Sequence, residues 1–168
     1  TYESHDEMED EPADMPLMAD LFAGPNAPVT KAFLWCGSQC ITVDWLLDPT
    51  HDLPNPLCRQ SLSAQLEEVS FIVAAMDCST KSRAREIPLH FDDGRPSPKP
   101  LRSEDFPLGL PGLNPEDKER VDKDNAASEF VLAQIQKAAM NGKGSIRENL
   151  LRSLHWNYPS EEAMMASG

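Results

Sequence analysis

Between Asp20 and Trp45 the chain runs Asp20-Leu21-Phe22-Ala23-Gly24, then a short apolar segment closed by Gly37, then Cys40 to Val43 and Asp44-Trp45. This reads as a strand, a tight turn, a helix and a second strand that ends on an acid. By itself the pattern is common, since many α/β proteins have a glycine after the first strand and an acid after the second, and two motifs further along strengthen it. Strands joined through a helix run parallel, because parallel neighbours need a crossover connection. A glycine-bearing turn and a carboxylate then stand side by side at the carboxyl ends of adjacent strands, where open α/β sheets bind nucleoside-type ligands. An acid at Asp44 is suited there to accept hydrogen bonds from ribose hydroxyls.

The rest of the chain supplies the elements such a sheet needs. A first strand is expected over 16–22, and Pro28 opens a short buried helix, fitted by Ala32, Phe33, Trp35 and Cys36, that Gly37 ends. Residues 40–43 form the second strand and 48–56 a Pro-rich connection. From Cys58 to Val69 the apolar positions Leu62, Leu66 and Val69 recur at helical spacing, with Ser61 or Ser63 as the cap. The nearly continuous apolar run over 70–76 suits a strand buried on both faces. From Asp77 onward Pro88, Pro96, Pro98, Pro100, Pro107 and Pro111 with Gly94, Gly109 and Gly112 leave little room for regular structure, so 77–114 is a lid-like or disordered loop. Asn114 then caps a helix with Pro115 at its first position and Glu116 and Asp117 in its first turn, continued by Val121, Val131, Leu132 and Ile135 until Asn141-Gly142. Residues 145–149 read as a short last strand, 150–156 as a small helix or turn and 159–168 as a flexible tail. The fold class is therefore α/β and Rossmann-like: a mostly parallel sheet with flanking helices, truncated, over 15–158, with a long Pro-rich insertion.

The formal net charge of −13 argues against a surface that attracts a phosphate backbone everywhere. From Thr1 to Asp14 the chain carries Glu3, Asp6, Glu7, Glu9, Asp10, Glu11 and Asp14 with no Lys or Arg, the pattern of an acidic disordered tail. Lys81, Arg83, Arg85, Arg95, Lys99 and Arg102 make a locally basic stretch, so a contact with DNA belongs there, unless these residues only solvate the loop. No apolar run is long enough for a bilayer, and no charged-then-apolar leader precedes the first strand, so no membrane contact and an intracellular location are expected, nuclear if the chain acts on DNA. Cys36, Cys40, Cys58 and Cys78 have neither paired metal spacing nor the density of a disulfide scaffold, and no metal is expected. Cys36 and Cys40 read as core thiols. His90 and His155 have no partner at a useful spacing and are given no role.

Cys78 follows the buried strand and should emerge at the same sheet edge as Gly24 and Asp44. Lys81, Arg83 and Arg85 lie close enough in sequence to stabilise its thiolate, the form a nucleophile needs. Glu148 would end another strand at that edge and exchange a proton with a substrate across the crevice. The bland alternative makes Cys78 a small core hydrophobe and Glu148 a surface acid.

In this arrangement the chain resembles the cytosine-5 DNA methyltransferases. Asp20-Leu21-Phe22-Ala23-Gly24 matches that family's first motif, Asp44-Trp45 its acidic-aromatic pair, Cys78 with Ser82 its Pro-Cys-x-x-x-Ser motif, and Glu148-Asn149-Leu150 its Glu-Asn-Val. The resemblance implies S-adenosylmethionine as cofactor: Phe22 and Gly24 lining its pocket, Asp44 on the ribose, Trp45 against adenine and Asp52 at the adenine amino group. It further implies a cytosine flipped out of DNA, with Cys78 adding to C6 and Glu148 binding the N3 edge. The chain departs from the family in carrying Pro25-Asn26-Ala27-Pro28 for its Gly-rich turn and Asp77 for the Pro before the cysteine. It also stops soon after Glu148, without the Gln-x-Arg-x-Arg motif, target-recognition region or C-terminal motif. A divergent or partial methyltransferase is thus expected, its other half supplied by a longer chain or a partner. Two alternatives stay open: a non-catalytic degenerate domain, from a larger mobile-element-type polyprotein, and a methyltransferase of another substrate.

Overall fold

The computed structural model describes residues 15–166; the expected acidic tail of 1–14 and the last two residues of the expected C-terminal tail lie outside them. Strands β1 (Leu17–Leu21), β2 (Gln39–Val43), β3 (Phe71–Ala75) and β4 (Gly144–Glu148) form one all-parallel sheet in the order β2-β1-β3-β4. Helices α1 (Pro28–Trp35), α2 (Pro56–Leu66) and α3 (Pro115–Met140) are the crossovers, and α4 (Pro159–Ala166) follows the sheet. The expected α/β, Rossmann-like architecture is what the chain adopts. Right-handed crossovers in this order put α1 on one face and α2 and α3 on the other, where α2 and α3 touch. The chain's direction across the sheet reverses at β1, so the switch point lies between β1 and β3. No helix among the described residues is long and apolar enough to cross a membrane.

Period-two alternation sorts the strand residues between the faces. Ala19, Leu21, Val43, Ile72 and Ala74 point to the α2 and α3 side and join Leu62, Leu66, Val131, Leu132 and Ile135 in one core. On the other side Asp20 and Thr42 are register partners. The buried Asp20 Oδ2 accepts the N–H and Oγ1 of Thr30 at 2.9 and 2.8 Å, and Thr30 Oγ1 lies 3.0 Å from Thr42 Oγ1. Helix α1 is therefore pinned by a buried polar cluster instead of an apolar stripe. That overturns the expectation of a buried helix: Trp35 is 88% exposed, and Cys36 is exposed and no core thiol. Cys40 is half-buried, with its thiol pKa pushed up by burial.

Three further features differ from what the sequence suggests. Helix α2 begins at Pro56 because Asn55 Oδ1 accepts the Leu57 N–H at 2.9 Å, which leaves Ser61 and Ser63 inside the helix and not at its cap. Strand β3 is fully packed on one face only, with Ile72 and Ala74 buried and Phe71, Val73 and Ala75 half-buried, since α1 packs against β1 and β2. Residues 159–166, expected as part of a flexible tail, form α4. It is anchored by the fully buried Glu161, which bonds His155 Nε2 at 2.8 Å and pairs with Arg147 on β4. Helix α3 follows its expected course, with Asn114 Oδ1 accepting the Asp117 N–H at 2.8 Å. The 77–114 loop holds a 3₁₀ turn at Arg83–Glu86 and otherwise no regular element, and a second 3₁₀ turn spans Leu154–Asn157.

Candidate functional site

A cleft of about 650 Å³ opens at the carboxyl ends of β1, β2 and β3, with the first half of α3 as its far wall. Phe22, Asp44, Trp45 and Asp52 all line it. Phe22 leaves β1 with φ +61°, a left-handed conformation that costs an L-residue about 1 kcal/mol. The N–H groups of Phe22 and Ala23 both bond Val43 O, at 2.8 and 3.2 Å, which holds that conformation and ties the ends of β1 and β2 together. Strain held in this way is a common mark of a binding site.

Gly24 is not among the lining residues, but it shapes the cleft through Asp44. Its N–H donates to Asp44 Oδ2 at 2.8 Å, while the Leu46 N–H donates to Oδ1 at 2.8 Å. Asp44 is thus built into the turn, and each of its oxygens keeps a further lone pair for a ligand hydroxyl. Gly24 needs its φ of +69°, yet a Cβ there would meet no atom within 4 Å, so the space beside it is open. Trp45 offers an indole that is 66% exposed.

Cys78 follows β3 and is half-buried; its neighbours Asp77 and Ser79 line the cleft and Cys78 does not. The Asp77 carboxylate closes its own turn, accepting the Ser79 N–H and Oγ at 2.8 Å each. The three cations expected to favour a Cys78 thiolate bond other groups. Lys81 is fully buried and donates to Asp77 O at 2.7 Å and Asp124 Oδ1 at 2.6 Å. Burial pushes its ammonium pKa down against the pull of Asp124. Arg83 pairs with Glu104, and Arg85 donates to Lys99 O at 2.8 Å and Ser79 O at 3.3 Å. Glu148 ends β4 exposed, with Ala75 as its register partner. Beside it Asn149 Nδ2 donates to Met76 O at 3.2 Å and ties the end of β4 to the start of the Cys78 turn.

One cluster under the cleft escaped the sequence reading. Asp124 on α3 accepts from Thr80, Lys81 and Arg102, the last at 3.0 Å. Arg102 continues to Pro107 O and Asn125 Oδ1 at 2.7 Å each, and Tyr158 donates to Asn125 Oδ1 at 2.8 Å. Burial holds the Tyr158 phenol well above its ordinary pKa. Two buried basic side chains, Lys81 and Arg102, thus share one carboxylate. The available signal was Asp124 itself, an acid on the inward stripe of α3 between Val121 and Ser128, both buried. Arg95 pairs with Asp93 at 3.3 Å, so the locally basic stretch, with Lys81 and Arg102 internal, is not one open patch. His90 is exposed, whereas His155 is buried against Glu161. Among the described residues no group of three or more His, Cys, Asp or Glu is placed to hold a metal ion. Compared with known protein families, curated proteins and solved structures, the chain matches none.

Proposed function

We propose that the chain is a divergent S-adenosylmethionine-binding domain of methyltransferase type, of the kind that acts on cytosine in DNA. The observation that carries this reading is the convergence of Phe22, Asp44, Trp45 and Asp52 on one cleft beside the switch point of a parallel sheet. Their chemistry suits the cofactor: an open indole face for adenine at Trp45, acceptor lone pairs for ribose at Asp44, and an exposed acid for an amino group at Asp52. When bound, S-adenosylmethionine supplies an electrophilic methyl group. Cys78, as thiolate, would add to C6 of a flipped cytosine so that C5 could take that methyl group, loss of the C5 proton to water would then expel the thiolate, and Glu148 would hold the N3 edge. DNA is met through Arg83 and Arg85, and the action is nuclear.

The experiment is a calorimetric titration of S-adenosylmethionine into the folded chain beside Trp45→Ala, an exposed side chain whose loss leaves the core intact. Saturable binding weakened about tenfold in the variant is expected, the order of one lost base–aromatic stack. Absence of binding by a chain with intact circular dichroism overturns the proposal. A non-catalytic domain is the second reading, favoured by Cys78 standing outside the cleft lining with its neighbouring cations bonded elsewhere. A 5-fluorocytosine oligonucleotide separates the two: covalent trapping lost in Cys78→Ser supports the enzyme, and cofactor binding without trapping supports the second reading.

A further inference from the structure

The charged groups lining the cleft divide into those with internal partners and those without. Asp44 accepts two backbone N–H groups, Asp77 accepts both donors of Ser79, and Asp124 holds Thr80, Lys81 and Arg102. Lys123 pairs with Glu119 at 2.8 Å. The side chains of Asp52 and Arg120 have neither a hydrogen bond nor an ion pair among the described residues, and His51 Nδ1 is buried without a partner. Charged groups in a cleft that are free of internal partners are the ones open to a ligand.

The turn after β1 has few backbone N–H groups to offer an anion in the usual way, at a helix N-terminus. Pro25 and Pro28 have no N–H, and those of Gly24, Ala27 and Thr30 are bonded to Asp44, Gly24 O at 3.1 Å and Asp20. Across the cleft, α3 contributes Arg120 to the lining beside Asp124, whose carboxylate is taken up by Lys81 and Arg102. Burial first, and then the nearby charge of Arg120, push the Arg85 pKa down against the pull of Asp117. We infer that Arg120 holds an anionic group of the cleft's ligand, taking the place of the backbone turn. The ligand is then a nucleoside that carries an acid on its 5′ side, a donor group meeting Asp52. The inference rests on the reading of the cleft as a nucleoside site. An amino-acid carboxylate and a 5′-phosphate share the required chemistry.

The test titrates S-adenosylhomocysteine, 5′-methylthioadenosine (the same nucleoside without the amino-acid end) and adenosine monophosphate into the chain and into Arg120→Gln. Arg120 is exposed, so the variant should fold. Expected is a preference of about tenfold for S-adenosylhomocysteine over 5′-methylthioadenosine, the order of one charge-assisted hydrogen bond, erased in Arg120→Gln and regained in part by Arg120→Lys. Equal binding of S-adenosylhomocysteine by chain and variant overturns the inference and leaves the nucleoside cleft standing. Binding of none of the three by the folded chain overturns both. Adenosine monophosphate held through Arg120 with S-adenosylhomocysteine refused keeps the anion site and overturns the S-adenosyl reading.

Discussion

Asp124 is the residue on which most of the buried charge depends. Lys81 and Arg102 are within 1% of full burial, and it is the carboxylate that pairs with both. Removing one partner of a buried ion pair leaves an uncompensated charge, whose cost exceeds the worth of the pair itself. Asp124→Asn should therefore destabilise the domain by about 4 kcal/mol, read from urea unfolding followed by circular dichroism. A loss below about 1 kcal/mol would mean that water reaches the two cations and the cluster is not dry. Little of this was legible in the sequence, because Lys81 and Arg102 stand 21 positions apart by their numbers and meet Asp124 only through a loop without periodicity. Asp44 and Trp45 were legible for the opposite reason. A strand end is a local event, and an acid-aromatic pair directly after an apolar run marks it.

At the scale of elements, legibility followed the number of independent end signals. Helix α3 has a capping Asn114, Pro115 at its first position and Gly142 beyond its end, and all three agree. Helix α4 also opens with Pro159 and has Glu161 and Glu162 in its first turn, but no apolar stripe announces it. What holds it is Glu161, whose partners lie on β4 and on a 3₁₀ turn and cannot be inferred from spacing. Burial pushes the Glu161 carboxyl up, but the hydrogen bond to His155 and the charge of Arg147 outweigh it, and the net pKa falls below the ordinary 4.5. A carboxyl whose folded pKa is depressed stabilises the fold fully above its unfolded pKa, and that stability is lost as pH falls through the folded pKa. Glu161→Gln should thus cost about 3 kcal/mol at neutral pH and show a shallower loss on acidification below the ordinary carboxylate range. Urea midpoints for both proteins at neutral and acidic pH test this, and parallel acid limbs would show that Glu161 does not carry the linkage.

For the whole molecule the governing contrast is between a lopsided sheet and a large like charge. Parallel sheets are as a rule covered on both faces. Here α2 and α3 cover one face, while on the other α1 packs against β1 and β2. Val73 is half-buried, and its register partner Ile146, on the edge strand β4, is 56% exposed. An apolar edge and face of this kind favours contact between copies. Opposing it is the net charge of −13, whose repulsion reaches about 10 Å at 0.1 M salt and only about 3 Å at 1 M. Association should therefore increase as salt is raised. Ile146→Thr, which keeps a β-branched residue on the strand, should suppress it while moving unfolding stability by no more than about 0.5 kcal/mol. Sedimentation velocity at low and high salt decides the point. A dimer that dissociates with added salt would assign the contact to charges, and a monomer throughout would mean that this face stays wetted even when the repulsion is screened.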